Sequence, residues 1–329
     1  MWAKTRSFTA GKRGSSTFNV QRSTLKVRNF GSSRRRLDVE RWTLDVHNGR
    51  VKFSIVTPSL RQLTWLKRCV RSVADQGADV EHLIQDAGTG AELEDWVRAN
   101  STARLAVETD SGMYDALNRG FARATGEICA WLNCDEQYLP GTLAKVRAIF
   151  EREPETDWVV GDHLLIGADG ALRSFRRATR LRPAMILTDH LYDLSCAMFF
   201  RRRLLDTAGS FRADFRAAGD AEWVCRALRT GARVRYVRAY LAAFTLTAEN
   251  LSQHADPAEE ARKLRALTPR WAQLAKPLLR EWRHVEKWLA GGYSSLAIAY
   301  EIFAAEDDQS RTRFVCEHPA HRHPWADRI

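Results

Sequence analysis

Two carboxylates stand side by side at Asp135 and Glu136, preceded by Asn133 and Cys134 and by the apolar run at residues 128–132. A short apolar run that ends abruptly on acidic groups reads as a buried strand, and the carboxyl ends of strands are where open α/β sheets bind ligands. Adjacent hard oxygen donors in that place suit a divalent cation carrying a diphosphate, Mn2+ or Mg2+. The plainer reading of these four residues is a polar turn behind a core strand. Three more acidic positions fall at similar boundaries: Asp86 in Asp86-Ala87-Gly88-Thr89-Gly90, Asp110 in Asp110-Ser111-Gly112, and Asp220 with Glu222 at the head of a helical pattern. Each has a structural alternative, a turn former for Asp86 and an N-cap for Asp220.

The elements that must position these groups alternate. Residues 52–57 form an apolar, β-branched strand ending at Pro58-Ser59. Residues 62–76 follow as a helix with Leu63, Leu66, Val70 and Val73 on one face. Residues 81–85 are a second strand running into Asp86, and a helix near 92–99 leads to a third strand at 104–107. Asp110-Ser111-Gly112 opens a helix carrying Met113, Leu117, Phe121 and Ala124 on one face, and Thr125-Gly126 stops it before the strand at 128–132. This order implies an α/β fold built on a mostly parallel, doubly wound sheet. Its carboxyl edge gathers four polar loops, at 57–59, 86–90, 110–112 and 133–136.

The first loop, Thr57-Pro58-Ser59-Leu60-Arg61-Gln62, lacks the glycines of a dinucleotide-binding turn, and the chain holds no Walker Gly-Lys-Ser/Thr. The glycine-rich opening loop of sugar-nucleotide pyrophosphorylases is missing as well. Dehydrogenase, P-loop and nucleotidyltransferase functions are excluded on that loop.

Asp110-Ser111-Gly112-Met113-Tyr114-Asp115-Ala116-Leu117-Asn118-Arg119-Gly120, then Ala124-Thr125-Gly126-Glu127-Ile128, then Leu132-Asn133-Cys134-Asp135-Glu136 resemble, without a gap, the family-two nucleotide-sugar glycosyltransferases of bacterial polysaccharide synthesis. The resemblance runs more loosely from Val51 to Ser252 and implies a GT-A (Rossmann-like) fold and an inverting transfer of sugar from a UDP-, GDP- or dTDP-linked donor to a glycan or lipid-linked acceptor. It implies that the loop Thr57, Pro58 and Ser59 contacts the nucleoside through its backbone and that Asp86 bonds the base. It places Asp110, Asn118 and Asn133 in the nucleotide-sugar pocket, and Asp135 on the metal with Glu136 beside it. Asp115 and Arg119 in the same motif read as structural.

The resemblance also implies a general base at Asp220, with Glu222 next in line. His254 lies where some relatives fold a loop over the donor, and metal ligation there is the functional alternative to a structural His. The chain departs from the family where its second loop acid becomes Ala91 or moves to Glu92, which leaves the donor base open. It departs again at Ser195-Cys196, with His190 displaced upstream, on the acceptor side. The rival function is a non-catalytic sugar-nucleotide or polysaccharide-binding relative of the same fold.

The second half continues with a strand at 157–161 ending at Asp162, a hairpin through 163–166 and 171–175, and a strand at 195–201. Arg173, Arg176, Arg177, Arg180 and Arg182 cluster behind the hairpin, either to meet a phosphorylated acceptor or as a solvated run. Beyond Pro269, Pro277 starts a helix with the apolar stripe Leu278, Trp282, Val285 and Leu289, flanked by Arg280, Arg283, Lys287 and Trp288. Such a helix lies on an anionic membrane surface, or packs on the catalytic domain or on a second copy in a homo-oligomer. Residues 294–305 read as another helix.

Charge and cysteines bound the rest. The 329 residues carry a net charge of +11, and residues 1–50, with twelve Lys/Arg against three Asp/Glu, supply most of it. That arm, rich in Ser, Gly and Thr, reads as disordered or loosely docked, and it favours an anionic membrane over nucleic acid because no aromatic-basic motif accompanies Arg34-Arg35-Arg36. Six scattered cysteines without metal spacing, no apolar leader and no run of membrane-spanning length point to a cytoplasmic protein, at most peripheral to the membrane. The expected organisation is an arm at 1–50, a catalytic domain at 51–268 divided near 136 into donor and acceptor halves, and a helical extension at 269–329.

Overall fold

The computed structural model describes residues 19–22, 42–45, 51–77, 79–247, 256–294, 296–305 and 308–321. Met1–Arg50 and Val51–Ile329 are separate units. In the first, β1 (Asn19–Arg22) and β2 (Trp42–Asp45) pair antiparallel, and the rest of the basic arm lies outside the described residues.

The second unit is organised by a run of parallel strands, of which the inner ones are buried on both faces. These are β3 (Phe53–Ser59), β4 (Val80–Asp86), β5 (Arg104–Val107) and β6 (Ile128–Trp131), joined in parallel in the order β5-β4-β3-β6. Their connections are α1 (Leu63–Ala74), α2 (Ala91–Asn100) and α3 (Met113–Ala122). The order reverses between β3 and β6, which opens a crevice at their carboxyl ends. α3 lies directly on β3 because Gly120 has no side chain; a Cβ there would run into Val56.

β7 (Glu136–Tyr138) and α4 (Thr142–Arg152) lead into β8 (Trp158–Gly167), a single ten-residue strand where the sequence reads as two. β9 (Leu172–Arg176) pairs antiparallel with β8 as the expected hairpin. α5 (Pro183–Thr188) and a 3-10 turn at Ser195–Ala197 precede β10 (Met198–Arg201), which is antiparallel to both β6 and β8 and knits the halves into one nine-stranded sheet. After α6 (Arg203–Ala208) and α7 (Gly219–Arg229), β11 (Val234–Leu246) runs parallel to β8 and antiparallel to β7.

Aromatic packing fixes α3 and α7 on one face of this sheet. Trp223 of α7 stacks on Phe211 at 4.8 Å, and Trp131 of β6 meets Phe211 edge-on at 5.2 Å. Such pairs contribute about 0.5–1.5 kcal/mol beyond their buried area. Phe53, Ile55, Val73, Tyr138 and Val146 fill the opposite face.

The chain then forms α8 (Pro257–Leu267), α9 (Arg270–Leu274) and α10 (Lys276–Leu289). The expected helix at 294–305 is instead a strand, β12 (Ile298–Ile302), paired with β13 (Thr312–Cys316). Ile298, Tyr300 and Ile302 are buried while Ala299 and Glu301 are exposed, a period of two that only a strand satisfies. The pair closes over Leu164, Ile166 and Phe175, and Gln137 exchanges two hydrogen bonds with the main chain of Phe303. Among the described residues no helix is long and apolar enough to cross a membrane.

Candidate active site

The reversal between β3 and β6 brings the first and last of the four polar loops together, and the Cys134 thiol donates to the Pro58 carbonyl at 3.1 Å. Thr57 turns its hydroxyl inward to His82 Nε2 at 2.9 Å, and burial holds His82 near 4, hence neutral. The Thr57 side chain is thereby committed to the interior, whereas the buried Ser59 hydroxyl has no hydrogen-bond partner among the described residues. Asp86 is fully buried. Its Oδ2 accepts from Gly88 N (2.9 Å) and Thr89 N (2.6 Å), and its Oδ1 from the Thr89 hydroxyl (2.7 Å). Thr89 Oγ1 in turn accepts from Arg61 N at 2.8 Å. Asp86 thus shapes its own loop and ties it to the first, the turn-forming role, and its carboxylate is not presented to a base.

The third loop is held from both sides. Asp110 Oδ1 accepts from Gly112 N at 2.9 Å, where φ of 129° requires glycine, and Asp115 accepts from Ser111 N at 2.9 Å and pairs with Arg119. Burial raises the Asp110 carboxyl against the opposing Gly112 N–H. Arg216, from the chain before α7, donates to the Ser111 carbonyl. Asn118 is placed otherwise than expected. Its Nδ2 donates to Phe211 O (2.9 Å) and its Oδ1 accepts from Phe211 N (2.8 Å), so both ends of the amide hold the neighbouring loop.

At the end of β6 the two carboxylates diverge. Glu136 is buried, accepts from Asn133 N at 2.7 Å, and is pushed up to about 8 by burial and then by the charges of Asp135 and Asp220. It closes the turn from inside. Asn133 Oδ1 is a buried oxygen with no hydrogen-bond partner among the described residues, and Asp135, itself engaged within the fold, follows two positions on. No cluster of three His, Cys, Asp or Glu converges among those residues. Two hard oxygens still fit Mn2+ or Mg2+, since such ions keep waters and take the remaining ligands from substrate phosphates. His254 lies outside the described residues.

Asp220 sits in the first turn of α7, but Ala218 is the N-cap and has no side-chain cap bond, so the capping alternative fails. Its Oδ1 accepts from the Tyr114 hydroxyl at 3.3 Å and from Ala221 N at 2.7 Å. Burial raises Asp220 to about 6 in spite of these donors, and burial and the Asp220 charge hold Tyr114 protonated as a donor. Gly219 makes this approach possible: a Cβ there would lie 2.7 Å from the Tyr114 ring. Glu222 is no substitute base. Both of its oxygens pair with Arg226, at 3.0 and 2.8 Å, and Arg226 Nη2 donates to the Ser210 carbonyl at 2.9 Å.

The largest support for this turn comes from a residue the sequence did not mark. Glu260 on α8 accepts from Arg216 N (3.2 Å), Ala217 N (3.0 Å) and Ala218 N (2.9 Å), a carboxylate seated in three successive amides just before Asp220. Tyr114, Arg216 and Gly219 were likewise unmarked as partners, although Tyr114 lay inside the recognised motif. The arginine cluster behind β9 is largely spent internally, Arg177 on Asp162 at 2.6 Å, Arg173 on Asp169 at 2.7 Å and Arg182 on Glu286 at 2.8 Å.

Comparison with known proteins follows this geometry. The profile described as glycosyl transferase family 2 matches residues 54–209. A PGL/p-HBAD biosynthesis glycosyltransferase of Mycobacterium bovis is 30% identical over 246 residues, 71% of this chain and 91% of the relative. An uncharacterized glycosyltransferase of Mycobacterium tuberculosis is 28% identical over 228 residues, 65% and 82% of the two chains. Among solved structures, S. aureus TarS in complex with UDP-GlcNAc superposes with a TM-score of 0.55 at 16% identity, covering 74% of this chain and 76% of that one. That likeness establishes the GT-A fold.

Proposed function

The chain belongs to glycosyl transferase family 2, and from that premise we propose that it is an inverting, metal-dependent sugar transferase with Asp220 as its general base. The carrying observation is Asp220 itself, its Oδ1 joined to Tyr114 at 3.3 Å and its carboxyl raised to about 6. A base poised just below neutrality is deprotonated at working pH yet accepts a proton readily.

The donor, a UDP-, GDP- or dTDP-sugar, lies over the backbone of Thr57, Pro58 and Ser59, with Asp110 and Asn133 facing it. Asp86 and Asn118 support by shaping the loops. Asp135 and Asn133 Oδ1 are the groups that would hold Mn2+ or Mg2+, and such an ion would supply charge neutralisation at the diphosphate. Asp220 takes the proton of an acceptor hydroxyl. The acceptor oxygen forms its bond to the anomeric carbon on the face opposite the diphosphate, and the sugar–phosphate C–O bond breaks with its electron pair leaving on the nucleoside diphosphate. The family resemblance supports a glycan or lipid-linked acceptor.

A panel of UDP-, GDP- and dTDP-sugars with Mn2+ tests the reading by release of nucleoside diphosphate. Turnover of one donor is expected, faster with acceptor. Tight binding of a sugar nucleotide with no turnover under any of these conditions would leave only a binding protein.

A further inference from the structure

Nine of the twelve exposed large apolar side chains among the described residues lie between Trp271 and Leu296. Most belong to α10 and are strongly presented, with Leu278 at 75% exposure, Trp282 at 54% and Trp288 at 67%. An amphipathic helix on a globular domain ordinarily turns such a stripe inward. α10 does the reverse. Its inward contacts are Leu279, packed against the core, Arg283 to Asp189 at 3.3 Å, and Glu286 to Arg182 at 2.8 Å, and none of its residues is buried. Three ion-pairing and apolar anchors thus hold the helix by its polar side and leave Leu278, Val285, Trp288 and Leu289 facing away, with Trp282 half-exposed at the edge, 5.8 Å from the Arg182 guanidinium.

We propose that this outward face docks on an anionic phospholipid surface. Tryptophans beside leucines suit the headgroup level of a bilayer, where an amphipathic ring is wet at one end and dry at the other. Residues 270–289 hold five Lys/Arg against two Glu. Lys276 and Arg280 are exposed and have no ion-pair partner among the described residues. A helix is only about 10 Å across, so these cations stand within about one Debye length, roughly 8–10 Å, of whatever the stripe rests on. Charge argues against the other occupants. A second copy brings a net +11, and residues 1–50 bring twelve Lys/Arg against three acids, so both are repelled by a cationic helix. Among the described residues no helix is suited to span the bilayer, so the attachment is in the interface plane.

Cosedimentation of the full-length protein with phosphatidylcholine vesicles, alone and mixed with phosphatidylglycerol, tests this. Binding is expected to the mixed vesicles only, weakened by high salt, with a blue shift of tryptophan emission. The variant L278A/W282A/W288A should lower partition about tenfold or more, since each lost apolar anchor removes buried area. Its melting temperature should fall only slightly, since Leu278 and Trp288 are mostly exposed and Trp282 gives up one contact with Arg182. The variant K276Q/R280Q should lower partition to anionic vesicles about tenfold, each basic group near the surface being worth severalfold. The variant R34Q/R35Q/R36Q should lower partition less than K276Q/R280Q does. Wild-type binding by the first two variants overturns the proposal, as does loss of binding confined to the arm variant. A dimer of the wild type that L278A/W282A/W288A dissociates, with no vesicle binding by either, assigns the face to self-association instead.

Discussion

The hydroxyl of Tyr114 donates to Oδ1 of Asp220 at 3.3 Å, joining residues 106 positions apart. Tyr114 belongs to α3, behind the polar loop at 110–112, and Asp220 lies in the first turn of α7. One hydrogen bond therefore couples the two halves of the crevice at the group proposed to move the proton.

Replacing Asp220 with Asn keeps the shape and removes the basicity. Because Asp220 is not the N-cap of α7, little stability should be lost. Sugar transfer should fall by at least about a hundredfold, the usual contribution of a general base, while donor affinity by calorimetry stays near wild type. Near-normal transfer by this variant would remove Asp220 from the chemistry.

The pH dependence follows from the raised Asp220 carboxyl. A base titrating at about 6 is protonated below that value, so transfer should climb through pH 6 and level off above it. Tyr114 donates to the charged form and so opposes the rise caused by burial. Tyr114→Phe should move the acid limb to higher pH, and an unmoved limb in the pH–rate profile of free enzyme would show that the hydroxyl does not tune the base. For stability the sign is opposite. A raised carboxyl contributes most below its unfolded value and loses that contribution as pH rises through about 6.

Asp135 and Glu136 should separate on substitution. Asp135→Ala is expected to abolish the metal-dependent thermal shift given by nucleoside diphosphate. Glu136→Gln should retain it, since that side chain is turned inward onto Asn133 N. Equal nucleotide binding by wild type with EDTA and by Asp135→Ala would sink the metal assignment.

Glu260→Ala strips the acceptor from the amides of Arg216, Ala217 and Ala218. A loss of about 1–3 kcal/mol is expected for stranding such donors, with kcat falling more than KM for the donor rises. Burial alone would raise the Glu260 carboxyl, but these amides and Lys263 outweigh it and hold it below its ordinary value of 4.5. Its contribution is therefore present at neutral pH and lost on acidification, so the gap in melting temperature between wild type and Glu260→Ala should close as pH falls toward that carboxyl's titration. A constant gap would mean the carboxylate charge is not what holds the turn.

Asn118→Ala should behave as a stability variant. Both ends of its amide bond Phe211, so unfolding by urea should show a loss of about 1–3 kcal/mol with the donor dissociation constant little changed. The opposite outcome, a weakened donor on an unaltered fold, would return Asn118 to the pocket.

The alternating strands and helices from β3 to β6, the four polar loops and the motif around Asp110 and Asp135 were legible in the sequence by itself. Each is written in contiguous residues, as a period of side chains, a turn signal or an acid behind an apolar run, and no distant partner is needed to read it. The family could be read from the same stretch for the same reason. Tertiary structure alone decided how the acids are used. Asp86, Asn118, Glu136 and Glu222 carry the same functional groups as Asp135 and Asp220. Which role a carboxylate or amide takes depends on which donors lie against it, and for the first four those donors come from Thr89, Phe211, Asn133 and Arg226. The strand β12 is not legible in the sequence, because its period of two becomes decisive only when a surface exists to bury Ile298, Tyr300 and Ile302. The outward stripe of α10 is the sharpest case. A helical period tells that one face is apolar, but which way that face points is set by the ion pairs of Arg283 with Asp189 and Glu286 with Arg182, partners about a hundred residues away in the chain.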